Sequence, residues 1–249
     1  MTNKNHLLIM CTLTFLSPVL LTHVAFAQSD TLVTDRPDVA ESSKVVGKHF
    51  QVEAGADATL RSSTSDTQVV FPLKLRQGIT HTFEIHLETD TYTIAPSGEN
   101  SLTSPEIGTK WHLGHDAEGT WSLGILTALS LPLFDTSLWT FSPTLALDLA
   151  LTPRLSLGNN LGVSVTFAPR GEGTQEARFA SSLGISLTDN LGMYTEIFGQ
   201  WQFSNHLILS ADAGMTYTLS PNLQLDGYVR QGFYHDNDTG VGLGISFRI

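Results

Sequence analysis

The chain has 249 residues, 41% of them hydrophobic and only 15% charged, with a net charge of -11. The acidic balance argues against nucleic acid as a partner, and the apolar fraction is too ordinary for a helical membrane protein. Low charge with 21 glycines and 10 prolines suits many short strands with unlike faces.

The N-terminus reads as a targeting segment. Lys4 supplies positive charge, residues 7–21 are apolar but broken by Thr12, Thr14, Ser17 and Pro18, and Ala25-Phe26-Ala27 gives a small-x-small cleavage signal. The expected signal peptide is residues 1–27. A retained anchor is the alternative, but the apolar run is short and interrupted for a span. The single cysteine, Cys11, falls inside this segment. The mature chain is then expected to have no disulfide, CxxC zinc site or cysteine nucleophile. Loss of Lys4 with no acid takes the net charge from -11 to -12. Residues 28–47, containing Thr34-Asp35-Arg36-Pro37-Asp38, lack periodicity. They read either as a periplasmic or lumen-entering arm or as a disordered leader.

Alternation then begins. In residues 49–61, Phe50, Val52, Ala54, Ala56, Ala58 and Leu60 share one face, and Gln51, Glu53, Asp57 and Arg61 lie on the other. Residues 68–76 put Lys74 and Arg76 inward. Residues 82–90 place Glu84, His86, Glu88 and Asp90 on one face, which suits a wet lumen better than a sandwich core. Residues 105–113 carry Glu106 and Lys110 inward, and 121–131 is the most apolar segment. Residues 140–151 (Asp148 inward), 155–167 and 178–187 follow. Residues 191–203 alternate poorly, with Glu196 read as inward. Residues 207–219 carry Asp212 inward, and 223–231 carry Asp226 and Arg230. Finally, residues 240–249 set Val241, Leu243, Ile245, Phe247 and Ile249 against Gly240, Gly242, Gly244, Ser246 and Arg248.

This pattern predicts an all-β protein: an antiparallel transmembrane β-barrel of about twelve strands over residues 48–249, after the signal peptide. Short connections at 77–80, 114–119, 152–154, 188–190 and 220–222 mostly alternate with longer ones, as periplasmic turns alternate with external loops in bacterial barrels. The last strand should close on residues 49–61 and turn its glycines to the lumen. Trp111, Trp121, Trp139 and Trp201 sit near predicted strand ends, where aromatic girdles form. The expected location is the outer membrane of a Gram-negative cell. The expected partners are outer-membrane lipid, the barrel-assembly machinery and a small-molecule solute.

The candidate functional residues are a lumen-lining network: Glu53, Asp57, Arg61, Lys74, Arg76, Glu84, His86, Glu88, Asp90, Glu106, Lys110, Asp148, Glu196, Asp212, Asp226, Arg230 and Arg248. Two readings stay open. The charges fill a narrow lumen as a salt-bridge network, or they line a selective pore whose acid excess favours cations. No histidine pair has metal-ligand spacing, and HExxH, GxSxG and P-loop motifs are absent from the sequence. No cofactor, metal or catalytic residue is therefore expected. Three functional classes remain: passage of small solutes, a structural or adhesive barrel, and a lipid-modifying enzyme. The last needs Ser, His and an acid to converge, and no such set is legible. A soluble ligand-binding barrel would have its apolar face inward.

Thr34-Asp35-Arg36-Pro37-Asp38 followed by Gly47-Lys48-His49-Phe50-Gln51-Val52-Glu53-Ala54-Gly55 resembles the opening of transporter-like barrels grouped as the "MetA-pathway of phenol degradation" family. Leu75-Arg76-Gln77-Gly78-Ile79-Thr80 with Phe83-Glu84-Ile85, and Leu183 to Asp189 with Tyr194-Thr195-Glu196, are similar to later hairpins. So are Asp212 to Tyr217 and Ser220 to Asp226. The resemblance implies an outer-membrane barrel that takes up small hydrophobic or aromatic compounds, and it carries no catalytic residue over. Ile249 stands where outer-membrane barrels usually have Phe.

Overall fold

The structure is a computed structural model that describes residues 32–249 apart from 38, 65, 95–104, 133–137, 168–172 and 204–205. The expected signal peptide, Asp38 and much of the longer connections lie outside the described residues.

Twelve strands form one closed antiparallel barrel. They are β1 (Phe50–Arg61), β2 (Asp66–Gly78), β3 (Phe83–Ile94), β4 (Glu106–His115), β5 (Trp121–Ser130), β6 (Trp139–Thr152), β7 (Leu155–Phe167), β8 (Gln175–Ser186), β9 (Leu191–Gln202), β10 (His206–Ser220), β11 (Leu223–Tyr234) and β12 (Thr239–Arg248). Every strand pairs with its sequence neighbours, and β12 closes on β1 through Val52↔Phe247, Gly55↔Gly244 and Leu60↔Thr239. Closure leaves no free edge, which a lipid environment requires because an unpaired backbone group there finds no partner.

The side-chain distribution is inside out. The largest fully buried side chains are led by Arg76, Lys110, Gln51, Glu53 and Glu84, whereas Leu243 is 71% exposed and Leu161 65%. A soluble fold would bury the second group and solvate the first. A lipid-facing wall around a polar lumen requires this inverse arrangement. Trp111 and Trp121 face outward near the short-turn end, Trp139 and Trp201 near the opposite end, so aromatic side chains border the apolar band on both sides. Trp111 packs edge-on against Phe83, and Trp201 against Phe203.

Several strands exceed the apolar alternation. β3 continues to Ile94 and β11 to Tyr234, because the ladder runs on where the outward face is no longer purely apolar. The poor alternation of β9 comes from Tyr194, which is buried on the lumen side beside Glu196, and from Phe198, which lines the interior cavity.

Candidate functional site: a charged lumen crossed by the N-terminal arm

Residues 32–37 and 39–48 lie inside the barrel, near the end carrying the short turns. The arm is irregular, so its backbone groups need partners, and the wall supplies them. The Glu196 carboxylate accepts from the Val39 and Ala40 N–H groups, at 2.7 Å each. Asn160 and Glu41 form a reciprocal pair: Glu41 N–H donates to Asn160 Oδ1 at 2.8 Å, and Asn160 Nδ2 donates to the Glu41 carbonyl at 2.9 Å. Asp148 accepts from the Ser43 N–H at 3.0 Å and its hydroxyl at 2.7 Å, while Ser43 also meets Ser122. Glu84 accepts from the Val46 N–H at 2.7 Å. Val33 offers its carbonyl to Gln51 Nε2 at 2.7 Å and Arg76 Nη1 at 3.0 Å. The arm thus touches β1, β2, β3, β5, β6, β7 and β9 in one layer.

The motif residues bind opposite charges on different walls. The Asp35 carboxylate meets Lys110 Nζ at 2.5 Å, Lys74 Nζ at 3.1 Å and Arg76 Nη1 at 3.3 Å. Burial by itself would raise its pKa; Arg76, Lys110 and Lys74 outweigh burial and hold it well below the usual carboxylate range. Glu41 adds a second arm carboxylate 2.8 Å from Lys74 Nζ. Arg36 points to the β1–β12–β11 seam, with Nη2 3.4 Å from Asp226 and 3.7 Å from Asp57. Thr34 bonds its hydroxyl to the Arg36 carbonyl at 2.8 Å and accepts from Gln224 at 3.3 Å. Pro37 is buried and lines the cavity above. Glycines make the room: a Cβ on Gly55 would lie 2.6 Å from Arg36 Nη2, and one on Gly124 2.6 Å from the Ser43 carbonyl.

Of the residues singled out by charge and parity, Glu53, Lys74, Arg76 and Glu84 form one buried cluster, in which Glu53 meets Arg76 at 2.8 Å and Glu84 meets Arg76 at 2.9 Å. Lys110 joins it through Asp35. His86 is buried opposite Gly108. Asp148, Glu196 and Asp226 bind the arm directly. Asp212 is buried in register with Glu196 and Arg230. Asp57, Glu88, Asp90, Glu106 and Arg230 line a cavity of about 880 Å³ whose lining also includes Asp35, Arg36 and Glu41 of the arm. Glu88 pairs with Lys74 at 3.3 Å, and Arg230 lies over the Phe198 and Tyr228 rings at 5.4 and 5.3 Å.

Two placements need correction. Arg61 is exposed at the outer end of β1, where it donates to Gln68, and Arg248 binds the Asn222 side chain in the turn after β10. Both have inward parity, but each ends its strand, beyond the depth at which side chains meet across the lumen. Reasoning from charge also passes over Gln51, Ser122, Asn160 and Gln224. They share the inward parity, which was the available signal, but nothing in their type marks them as hydrogen-bond partners of the arm. Among the described residues, no group of three His, Cys, Asp or Glu is placed to hold a metal.

A closed twelve-strand barrel with an apolar exterior and a charged lumen defines an outer-membrane β-barrel. Within that class, the chain belongs to the family described as "Putative MetA-pathway of phenol degradation", matched over residues 34–249. No curated protein sequence matches it. Among solved structures it resembles the COG4313 outer membrane channel from Pseudomonas putida F1, at 8% identity and a TM-score of 0.64, covering 82% of this chain and 96% of that one. It also resembles the KdgM porin in complex with disordered oligogalacturonate, at 12% identity and a TM-score of 0.59, covering 79% and 98%. These likenesses concern the fold.

Proposed function

We propose that the protein passes small solutes across the outer membrane, with the N-terminal arm limiting passage. The observation that carries this reading is the division of the lumen into two storeys. One holds an open cavity of about 880 Å³ lined mainly by polar and charged side chains, and below it the arm spans from the β2–β4 wall to β9. Short turns mark the periplasmic side of such barrels, so the cavity is an external vestibule and the arm is its floor. A purely structural barrel needs no such water-accessible space.

The family's description extends the proposal to aromatic or hydrophobic compounds, for which the Phe198 and Tyr228 rings beside Arg230 are the nearest stacking surfaces. The partners are then outer-membrane lipid, the assembly machinery and the solute itself. Liposome swelling with the mature barrel, with and without residues 28–47, tests the reading. Faster swelling of the truncated barrel is expected. Equal rates for the two would refute the arm's role, and no swelling with either would refute passage.

A further inference from the structure

We propose that the slot holding Arg36 is a binding site for the guanidinium group of a small cationic solute, with Arg36 as its internal occupant. This rests on the passage reading above and names a solute class for it. The slot is built rather than incidental. Its floor is the glycine pair Gly55 and Gly244, register partners across the β1–β12 seam. A Cβ at Gly55 would stand 2.6 Å from Arg36 Nη2, so the floor accepts a flat group only because both residues lack side chains. Its walls are acceptors: the fully shielded Asp226 carboxylate at 3.4 Å, the Leu243 carbonyl at 3.4 Å and Asp57 at 3.7 Å. A planar fork of N–H donors matches such a set.

Arg36 fills the slot loosely. Charge-assisted hydrogen bonds of this kind are usually about 2.7–2.9 Å long, and these are longer. Asp226 Oδ2 and Arg36 Nε are both buried with no hydrogen-bond partner. A guanidinium free of the arm's backbone can settle closer to both acids. The way in is open, since Arg36, Asp57 and Tyr228 line the vestibule together with Glu88, Asp90 and Glu106. That acidic surround raises the local concentration of cations. Exchange at the slot also leaves Asp35, the neighbouring anchor, in place on its three cations.

The test is calorimetric titration of agmatine into the full mature barrel in detergent, with folding of each variant confirmed by heat-modifiable migration. Arg36→Gln removes the internal competitor and should tighten agmatine binding about tenfold over the unsubstituted protein. Adding Asp226→Asn should weaken it about tenfold again. Gly244→Ala in the Arg36→Gln background fills the floor without changing charge, and it should weaken binding likewise; it decides the matter if the Asp226 variant does not fold. Agmatine binding that is no tighter in Arg36→Gln, or indifferent to both further substitutions, would show an ion pair serving structure only. Binding is read here without passage, so a barrel that binds agmatine yet fails to swell liposomes refutes the channel reading and leaves the slot standing.

Discussion

Asp35 and Arg36 are consecutive residues held in opposite ways. Asp35 sits among three cations from β2 and β4, with its closest contact at 2.5 Å and its side chain 2% exposed. Arg36 reaches the β1–β12–β11 seam over glycines, with contacts of 3.4 and 3.7 Å and its side chain 13% exposed. The difference teaches how one short motif can fix the arm at one wall and leave it exchangeable at the other. Desolvated charges demand partners, because a buried charge left alone is costly. The longer contacts of Arg36 contribute less, because attraction falls with distance, although Asp226 itself is fully shielded.

The comparison breaks first at Asp35. Asp35→Asn leaves Lys74, Arg76 and Lys110 short of a buried carboxylate, so arm docking should weaken by about 3 kcal/mol, read as protease sensitivity of residues 32–48 in the folded barrel. Retained protection would remove Asp35 as the anchor. Glu196→Ala strips the acceptor from the Val39 and Ala40 N–H groups and should cost about 2 kcal/mol by the same assay. Arg36→Gln should cost less, about 1–2 kcal/mol, because its contacts are longer and the amide can still donate to Asp226, and a loss equal to that of Asp35→Asn would erase the distinction.

The smallest effect concerns pH. The docked pKa of Asp35 lies below its ordinary value of 3.8. Its contribution is therefore complete above that value and disappears only as pH falls through the lower, docked pKa. The share of protection due to Asp35, read as the difference between the unsubstituted and Asp35→Asn barrels, should not change between about pH 7 and pH 5 and should fail only below about pH 4. Loss near neutrality would assign docking to other groups.

The barrel was legible from alternation alone, because lipid and lumen impose opposite chemistries on successive residues. Even the seam could be read, from the apolar face of β12 against its glycines. Tyr194 and Phe198 obscured β9 because they are aromatic side chains on the inner face. The path of the arm was not legible. Its anchors are backbone N–H groups of Val39, Ala40, Glu41, Ser43 and Val46 meeting wall carboxylates and an amide, and a backbone donor has no signature in residue type. Parity likewise gave direction but no depth, which is why Arg61 and Arg248 appeared to belong to a network that forms farther inside.

The arm's control of passage can be tested by tying it to the wall. The Ala40 Cβ lies 3.9 Å from where a Cβ on Gly158 would stand, within the range of about 3.5–4.5 Å that a disulfide spans. The mature sequence expected after signal removal has no other cysteine. Single-channel recordings of the Ala40→Cys/Gly158→Cys barrel should show markedly lower conductance when oxidised than after reduction, with no redox effect on the unsubstituted protein. Equal conductance in both states would contradict the claim that the arm limits passage.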